Sequence, residues 1–142
     1  KEVGQKYHKF SHNPSIMLKR GFGATFEEWK SSALYLQTHG VPAEKIILCE
    51  RGTRNHCNPQ GVTLDLAMAL MAKEETPYPI IIDPSHGTRF GDHVLPLAQA
   101  SLALPVDGLM IEVHPIPQKS ISDAKQAIDL VAIKTFIENN HF

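Results

Sequence analysis

Four short runs of apolar residues punctuate the chain, at positions 15–18, 45–49, 79–82 and 109–113. Each is rich in Ile, Val, Leu or Met and is too short for a typical helix. Nearly continuous apolar runs of this length suit strands buried on both faces, as in a parallel sheet. Between them the pattern turns helical. The first helix is expected over 25–38, opened by Thr25 and Glu28 at capping-box spacing and closed by Gly40. The second runs from 63 to about 73 and is rich in Leu, Ala and Met. The third covers about 94–104. The fourth starts near 122 and reaches about 139, with Ile128, Val131, Ile133 and Ile137 forming an apolar stripe. Strand, loop and helix repeated four times describe a βα array with right-handed crossovers.

The expected fold class is therefore α/β, with four βα units and parallel strands. A complete TIM (β/α)8 barrel needs eight units and about 250 residues. Residues 1–9 begin with no methionine and no helix cap, and read like the tail of an interrupted helix. The expectation is a chain whose first half is missing, the alternative being a half-barrel that completes itself by dimerising. Left alone, the first strand offers an unpaired apolar edge, an aggregation hazard.

In such folds the chemistry gathers at the C-terminal ends of the strands. Here every strand run is followed by charged or metal-capable groups: Lys19-Arg20-Gly21, Glu50-Arg51-Gly52, Asp83-Pro84-Ser85-His86, and Glu112-Val113-His114 with Ser122-Asp123 in the next loop. His86, Glu112 and Asp123 together supply one imidazole and two carboxylates. That set suits a divalent ion of the manganese, iron, cobalt or zinc class. Alone, His86 reads equally well as a hydrogen-bonded loop histidine. His114 shares a strand face with Glu112 and is a candidate second-shell donor or further ligand. Lys19 and Arg51 are the anion candidates, a point charge and a guanidinium fork suited to phosphate or carboxylate; the bland alternative for both is a solvated salt bridge, for example with Glu50. Arg89 is placed to reach a substrate phosphate. Strand alternation turns Arg20 away from Lys19, toward a structural role. Cys49 reads as a buried structural thiol, and His8, His12, His39 and His141 as solvated surface.

Bulk composition changes this picture little. The 142 residues are 42% hydrophobic and 20% charged, as in an ordinary globular domain. A net charge of −1 carries no basic excess for nucleic acid. No apolar run approaches the roughly 18 residues needed to span a bilayer, and no charged-then-apolar signal segment opens the chain. Two cysteines make no disulfide framework, so a reducing cytoplasm is the default location.

The segments SIMLKRG, IILCERG, PIIIDPSHGT and GLMIEVHP, with SISD soon after, resemble the second half of the DAHP synthases. The likeness is to the microbial type related to 3-deoxy-manno-octulosonate 8-phosphate synthase. His86 and Glu112 lie 26 residues apart and Asp123 a further 11, matching the family pattern. The resemblance implies that the whole chain is the C-terminal half of a TIM-barrel catalytic domain. It implies condensation of phosphoenolpyruvate with erythrose 4-phosphate and water, the first step of the shikimate pathway, in a homo-oligomer. It assigns metal binding to His86, Glu112 and Asp123, and phosphoenolpyruvate binding to Lys19 and Arg51, with Lys19 also the candidate proton donor. The family's fourth metal ligand, a first-strand cysteine, has no counterpart here. Adjacent arginines that usually follow the DPSH segment are replaced by Phe90 and Gly91, with Arg89 one position early. Gly61-Val62 stand where an arginine often precedes TLD. A divergent acceptor specificity, or a non-catalytic half-barrel that binds metal or phosphate, are the competing expectations. The 142 residues alone are expected to show little or no turnover.

Overall fold

The structure, a computed structural model, describes residues 2–7, 9, 12 and 14–140. Its elements follow in chain order: α1 (Glu2–Tyr7), β1 (Ile16–Lys19), α2 (Phe26–Thr38), β2 (Ile46–Glu50), β3 (Thr53–Arg54), β4 (Val62–Thr63), α3 (Leu66–Glu75), β5 (Ile80–Ile82), α4 (Pro84–Thr88), α5 (Gly91–Ser101), β6 (Gly108–Leu109) and α6 (Leu130–Asn140). The four strands β1, β2, β5 and β6 form one sheet in that order, every neighbouring pair parallel. This is the four-unit parallel βα array expected from the apolar runs, the arrangement of half a (β/α)8 barrel.

One face of the sheet is covered by helices, whereas on the other Met17 is exposed and Ile47 and Ile81 are half-buried. Ile46, Leu48, Ile80 and Ile82 are fully buried, and Trp29, Ala33 and Leu36 of α2 and Ala69 and Ala72 of α3 pack into the same core. The indole N–H of Trp29 donates to the Leu18 carbonyl at 3.1 Å, so α2 is pinned to β1 by a directional bond as well as by packing. At the base of the sheet Tyr78 donates its hydroxyl to Gln37 at 2.8 Å. Asp107 accepts from Lys73 at 2.7 Å and from the Ile80 N–H at 2.7 Å.

The first helix opens as expected. Thr25 caps the Glu28 N–H while the Glu28 carboxylate takes the Thr25 N–H at 2.9 Å, and Gly40 turns the chain with φ of 94°. The other boundaries move, for identifiable reasons. Thr63 is drawn into an antiparallel hairpin with Thr53, so α3 starts later, where the Asp65 carboxylate accepts from the Met68 N–H at 3.0 Å. The loop expected after β2 is thus that β3–β4 hairpin. The third helix starts earlier than expected, at Gly91, whose N–H donates to the Lys125 carbonyl at 2.8 Å. The fourth strand run, 109–113, keeps only Gly108–Leu109 as regular strand. Beyond it Met110 N–H still reaches the Ile82 carbonyl at 2.8 Å, but Val113 bridges to Ile128 instead of to β5. Those contacts also shorten the last helix. Ile128 N–H donates to the Glu112 carbonyl and His114 N–H to the Ile128 carbonyl, both at 3.0 Å, so residues 122–129 hold the strand end and helix begins at Leu130.

His39 is corrected too. It is half-buried, its Nδ1 lies 2.8 Å from the Tyr35 carbonyl, and its Cβ is so close to Gly4 of α1 that a Cβ on Gly4 would come within 2.6 Å. His12 is exposed, whereas His8 and His141 lie outside the described residues. Among the described residues no helix is long and apolar enough to cross a membrane.

Candidate active site

The sheet ladder continues one residue past three strand ends and builds the mouth. Arg20 N–H donates to the Cys49 carbonyl at 2.9 Å, Asp83 N–H to the Glu50 carbonyl at 2.8 Å, and Met110 N–H to the Ile82 carbonyl at 2.8 Å. Side chains at these positions therefore inherit the rigidity of the sheet.

Two of these positions carry a closed ionic network. Glu50 is fully buried. It accepts from the Arg20 guanidinium at 3.0 Å, from the Gly52 N–H at 2.8 Å and from the Asp65 N–H at 3.4 Å. Burial pushes the Glu50 carboxyl above its ordinary range, and the Arg20 hydrogen bond pulls it back. Arg20 also donates Nε–H to the Ala24 carbonyl at 3.0 Å and reaches Asp65 at 3.4 Å. The structural role expected of Arg20 is observed. The salt bridge considered between Arg51 and Glu50 does not form, because Arg20 occupies that carboxylate. Gly52 (φ 86°) packs its Cα side against Gly87, where a Cβ would come within 2.9 Å, so the hairpin seats directly on α4. Cys49 is buried, its thiol pushed up to about 12 by burial and then by Asp83, which suits an inert structural thiol.

Asp83 begins α4. Followed by a proline at the first helical position, its side chain caps the His86 N–H at 3.0 Å. Its other oxygen, Oδ2, lies 2.8 Å from His86 Nδ1 and 3.2 Å from Lys19 Nζ. The carboxylate is 1% exposed, so His86 is held with Nδ1–H toward Asp83, leaving Nε2 as the lone-pair nitrogen. Nε2 lies 4.0 Å from a Glu112 carboxylate oxygen.

His86, Glu112 and Asp123 each offer one ligand atom, and these atoms all lie within 4.8 Å of one another. Glu112 is positioned through its backbone, its N–H donating to Ser85 Oγ at 2.9 Å. Asp123 sits in the left-handed region (φ 57°), and one of its oxygens accepts from the buried Gln126 amide at 2.9 Å. One imidazole of fixed tautomer and two carboxylates with open oxygens fit a divalent cation. His114 is not part of this convergence; its Nδ1 accepts from the Ile116 N–H at 3.0 Å.

The cations line the same mouth. Lys19, about a third exposed, pairs with Asp83. Arg51 lies 4.1 Å and Arg89 5.5 Å from the centroid of the Phe22 ring. Arg89 caps α4 in the left-handed conformation (φ 62°). Neither Arg51 nor Arg89 has a carboxylate partner among the described residues. Phe22 and Gln126 were missed, and no local pattern marks them. The Asp83 cap on the His86 N–H was also not anticipated, although Asp followed by Pro is a helix-start signal that could have found it.

A parallel βα array with cations and a His/Asp/Glu cluster at the carboxyl ends of its strands defines the class, an α/β-barrel type of site. The comparisons place it further, for the DAHP synthetase I family profile matches residues 10–141, and the chain belongs to that family. It is 41% identical over 128 residues to phospho-2-dehydro-3-deoxyheptonate aldolase of Thermotoga maritima, covering 90% of this chain and 37% of that protein. It is 33% identical over 106 residues to 2-dehydro-3-deoxyphosphooctonate aldolase of Bdellovibrio bacteriovorus, covering 67% of this chain and 36% of the relative. The crystal structure of the Thermotoga maritima DAHP synthase superposes with a TM-score of 0.88 at 37% identity, covering 99% of this chain and 39% of that one. A truncated form of the Thermotoga enzyme gives 0.85 at 36% identity, covering 99% and 54%. The chain thus spans little more than a third of the length of the curated relatives it matches.

Proposed function

We propose that these four βα units form the C-terminal half of a (β/α)8 barrel that condenses phosphoenolpyruvate with erythrose 4-phosphate and water, giving DAHP and inorganic phosphate. The observation that carries this reading is the convergence of His86, Glu112 and Asp123 ligand atoms within 4.8 Å, beside two guanidiniums without a carboxylate partner. His86 Nε2 and the two carboxylates would hold a divalent cation, which when bound supplies a Lewis acid for the acceptor aldehyde. Arg51 and Arg89 bind phosphate oxygens, and Lys19 fixes the phosphoenolpyruvate carboxylate or phosphate, so that an encounter becomes an oriented attack. Lys19 is also the group placed to deliver a proton, with Asp83 holding its ammonium at 3.2 Å. The rest of the barrel completes the site. Along the β6 edge an apolar groove lined by Leu109, Ile111, Val113, Ile133 and Ile137 is suited to receive further strands. Assembly into a homo-oligomer and a cytoplasmic location follow by likeness to the family.

The test is phosphate release from phosphoenolpyruvate by the intact protein. Release is expected only with erythrose 4-phosphate and a divalent metal present, and Glu112→Gln is expected to lower it by more than about 100-fold, beyond the loss typical of a residue that only supports a metal ligand. Release without metal, or an undiminished Glu112→Gln, would remove the reading. A second acceptor is favoured by a specific observation: octulosonate aldolases are also among the relatives at 33% identity, and Gly61-Val62 and Phe90-Gly91 depart from the family pattern. A panel of sugar phosphates separates the two, with preference for erythrose 4-phosphate expected. The 142 residues alone are expected to be nearly inactive, and robust turnover by them would show that the N-terminal half of the barrel is dispensable.

A further inference from the structure

We propose that Phe22 is a positioning residue that gathers Arg51 and Arg89 into one receptor for a single phosphate group; this rests on the reading of Arg51 as a phosphate contact. Phe22 lies in the loop between β1 and α2, with glycines on both sides. Such a loop has little intrinsic definition. The Phe22 carbonyl accepts from the Arg54 N–H of the hairpin at 2.8 Å, and the Ala24 N–H closes the turn onto the Gly21 carbonyl at 3.1 Å. The side chain is 38% exposed and outside the hydrophobic core, so its packing does little for the fold.

What the ring does contact is charge. Its centroid is 4.1 Å from the Arg51 guanidinium carbon and 5.5 Å from that of Arg89, within the range at which a ring face attracts a cation. The two arginines come from different strand ends. Arg51 follows β2, and Arg89 follows α4 through a left-handed residue (φ 62°) that a non-glycine side chain adopts only when its surroundings hold it there. A Cβ at Gly61 would lie 4.0 Å from the Arg89 terminal nitrogen, so Arg89 runs alongside the hairpin turn. Two like charges gathered without a carboxylate between them repel. The ring offsets part of that repulsion, and a dianion shared between them removes it. An aromatic ring within cation–π reach of two guanidiniums, neither paired with a carboxylate among the described residues, is therefore suited to a shared phosphate.

Calorimetric titration of the intact protein with inorganic phosphate and with phosphoenolpyruvate tests this, alongside steady-state kinetics. Phe22→Leu removes the ring and keeps an apolar side chain; Phe22→Tyr keeps the ring. Phe22→Leu is expected to weaken phosphate binding about 5-fold, the size of one exposed cation–π contact. The loss is expected in KM for phosphoenolpyruvate rather than in kcat, and Phe22→Tyr is expected to bind like the parent. Phe22→Leu combined with Arg89→Ala is expected to weaken binding by less than the product of the single effects. Parental phosphate affinity in Phe22→Leu, a loss in Phe22→Tyr equal to that in Phe22→Leu, or a strictly multiplicative double variant would each overturn the proposal. Arg51→Ala separates it from the reading beneath. If Arg51→Ala binds phosphate undiminished, the phosphoenolpyruvate site itself is misplaced. If Arg51→Ala loses binding and Phe22→Leu does not, only the role of Phe22 falls.

Discussion

The carboxylates of this chain divide into two groups with opposite surroundings. Glu50, Asp83 and Asp107 have their oxygens consumed by the protein: guanidinium and backbone N–H at Glu50, ammonium, imidazole and backbone N–H at Asp83, and ammonium and backbone N–H at Asp107. Glu112 and Asp123 converge on His86 with oxygens left open. A saturated carboxylate holds other groups still, and an unsaturated one is available to a ligand. Chemical type does not separate the groups, since both contain Asp and Glu. The number of donors that reach each carboxylate does.

The largest effect expected from breaking this division lies at Glu50. Arg20→Met removes the charge that compensates a fully buried carboxylate, and should cost about 3–5 kcal/mol of unfolding free energy. Denaturant unfolding measures it, and a cost under about 1 kcal/mol would mean that Glu50 is not held by Arg20. Next comes Asp83→Asn. An amide can still cap α4, but it no longer stabilises the Nδ1–H side of His86 by charge. Metal affinity is expected to fall about 10- to 100-fold, read by titration with cobalt(II) and its absorption bands. An unchanged affinity would put Asp83 outside the metal site and reduce it to a helix cap.

How much of this was legible in the sequence depends on what fixes each element. Strands β1, β2 and β5 were readable because short, nearly continuous apolar runs are the pattern of parallel strands. The α2 start was readable because Thr25 and Glu28 satisfy each other locally. The ends of the fourth unit were not, since Ile128 directs its N–H to the Glu112 carbonyl and its C=O to the His114 N–H, a long-range choice that periodicity does not record. The same holds for the site. His86, Glu112 and Asp123 could be named from residue type and order at strand ends, and the structure brings their ligand atoms together. His114 was grouped with them on strand alternation, which fails because the strand ends at Leu109. Phe22 left no trace, because an aromatic between two glycines has no period and its partners lie far along the chain.

The smallest expected effect is at Asp107, at the opposite end of the sheet from the site. Its carboxyl is held below the ordinary 3.8 by the hydrogen bond from Lys73 and then by that from the Ile80 N–H. A group whose folded pKa is depressed binds its proton less readily in the folded than in the unfolded chain. Its stabilising contribution is therefore complete above about pH 4, where the unfolded carboxyl is ionised, and is lost as pH falls through the folded value. Both Lys73 and Asp107 are about a third exposed, so water and salt screen much of the pairing. Asp107→Asn should accordingly cost only about 0.5–1 kcal/mol at neutral pH and should flatten the fall in stability below pH 4. Because Asp107 touches none of the mouth residues, the variant is expected to keep parental metal affinity. A loss of metal binding here would mean that the two ends of the sheet are coupled, and that a saturated carboxylate can act on the open ones across the length of the strands.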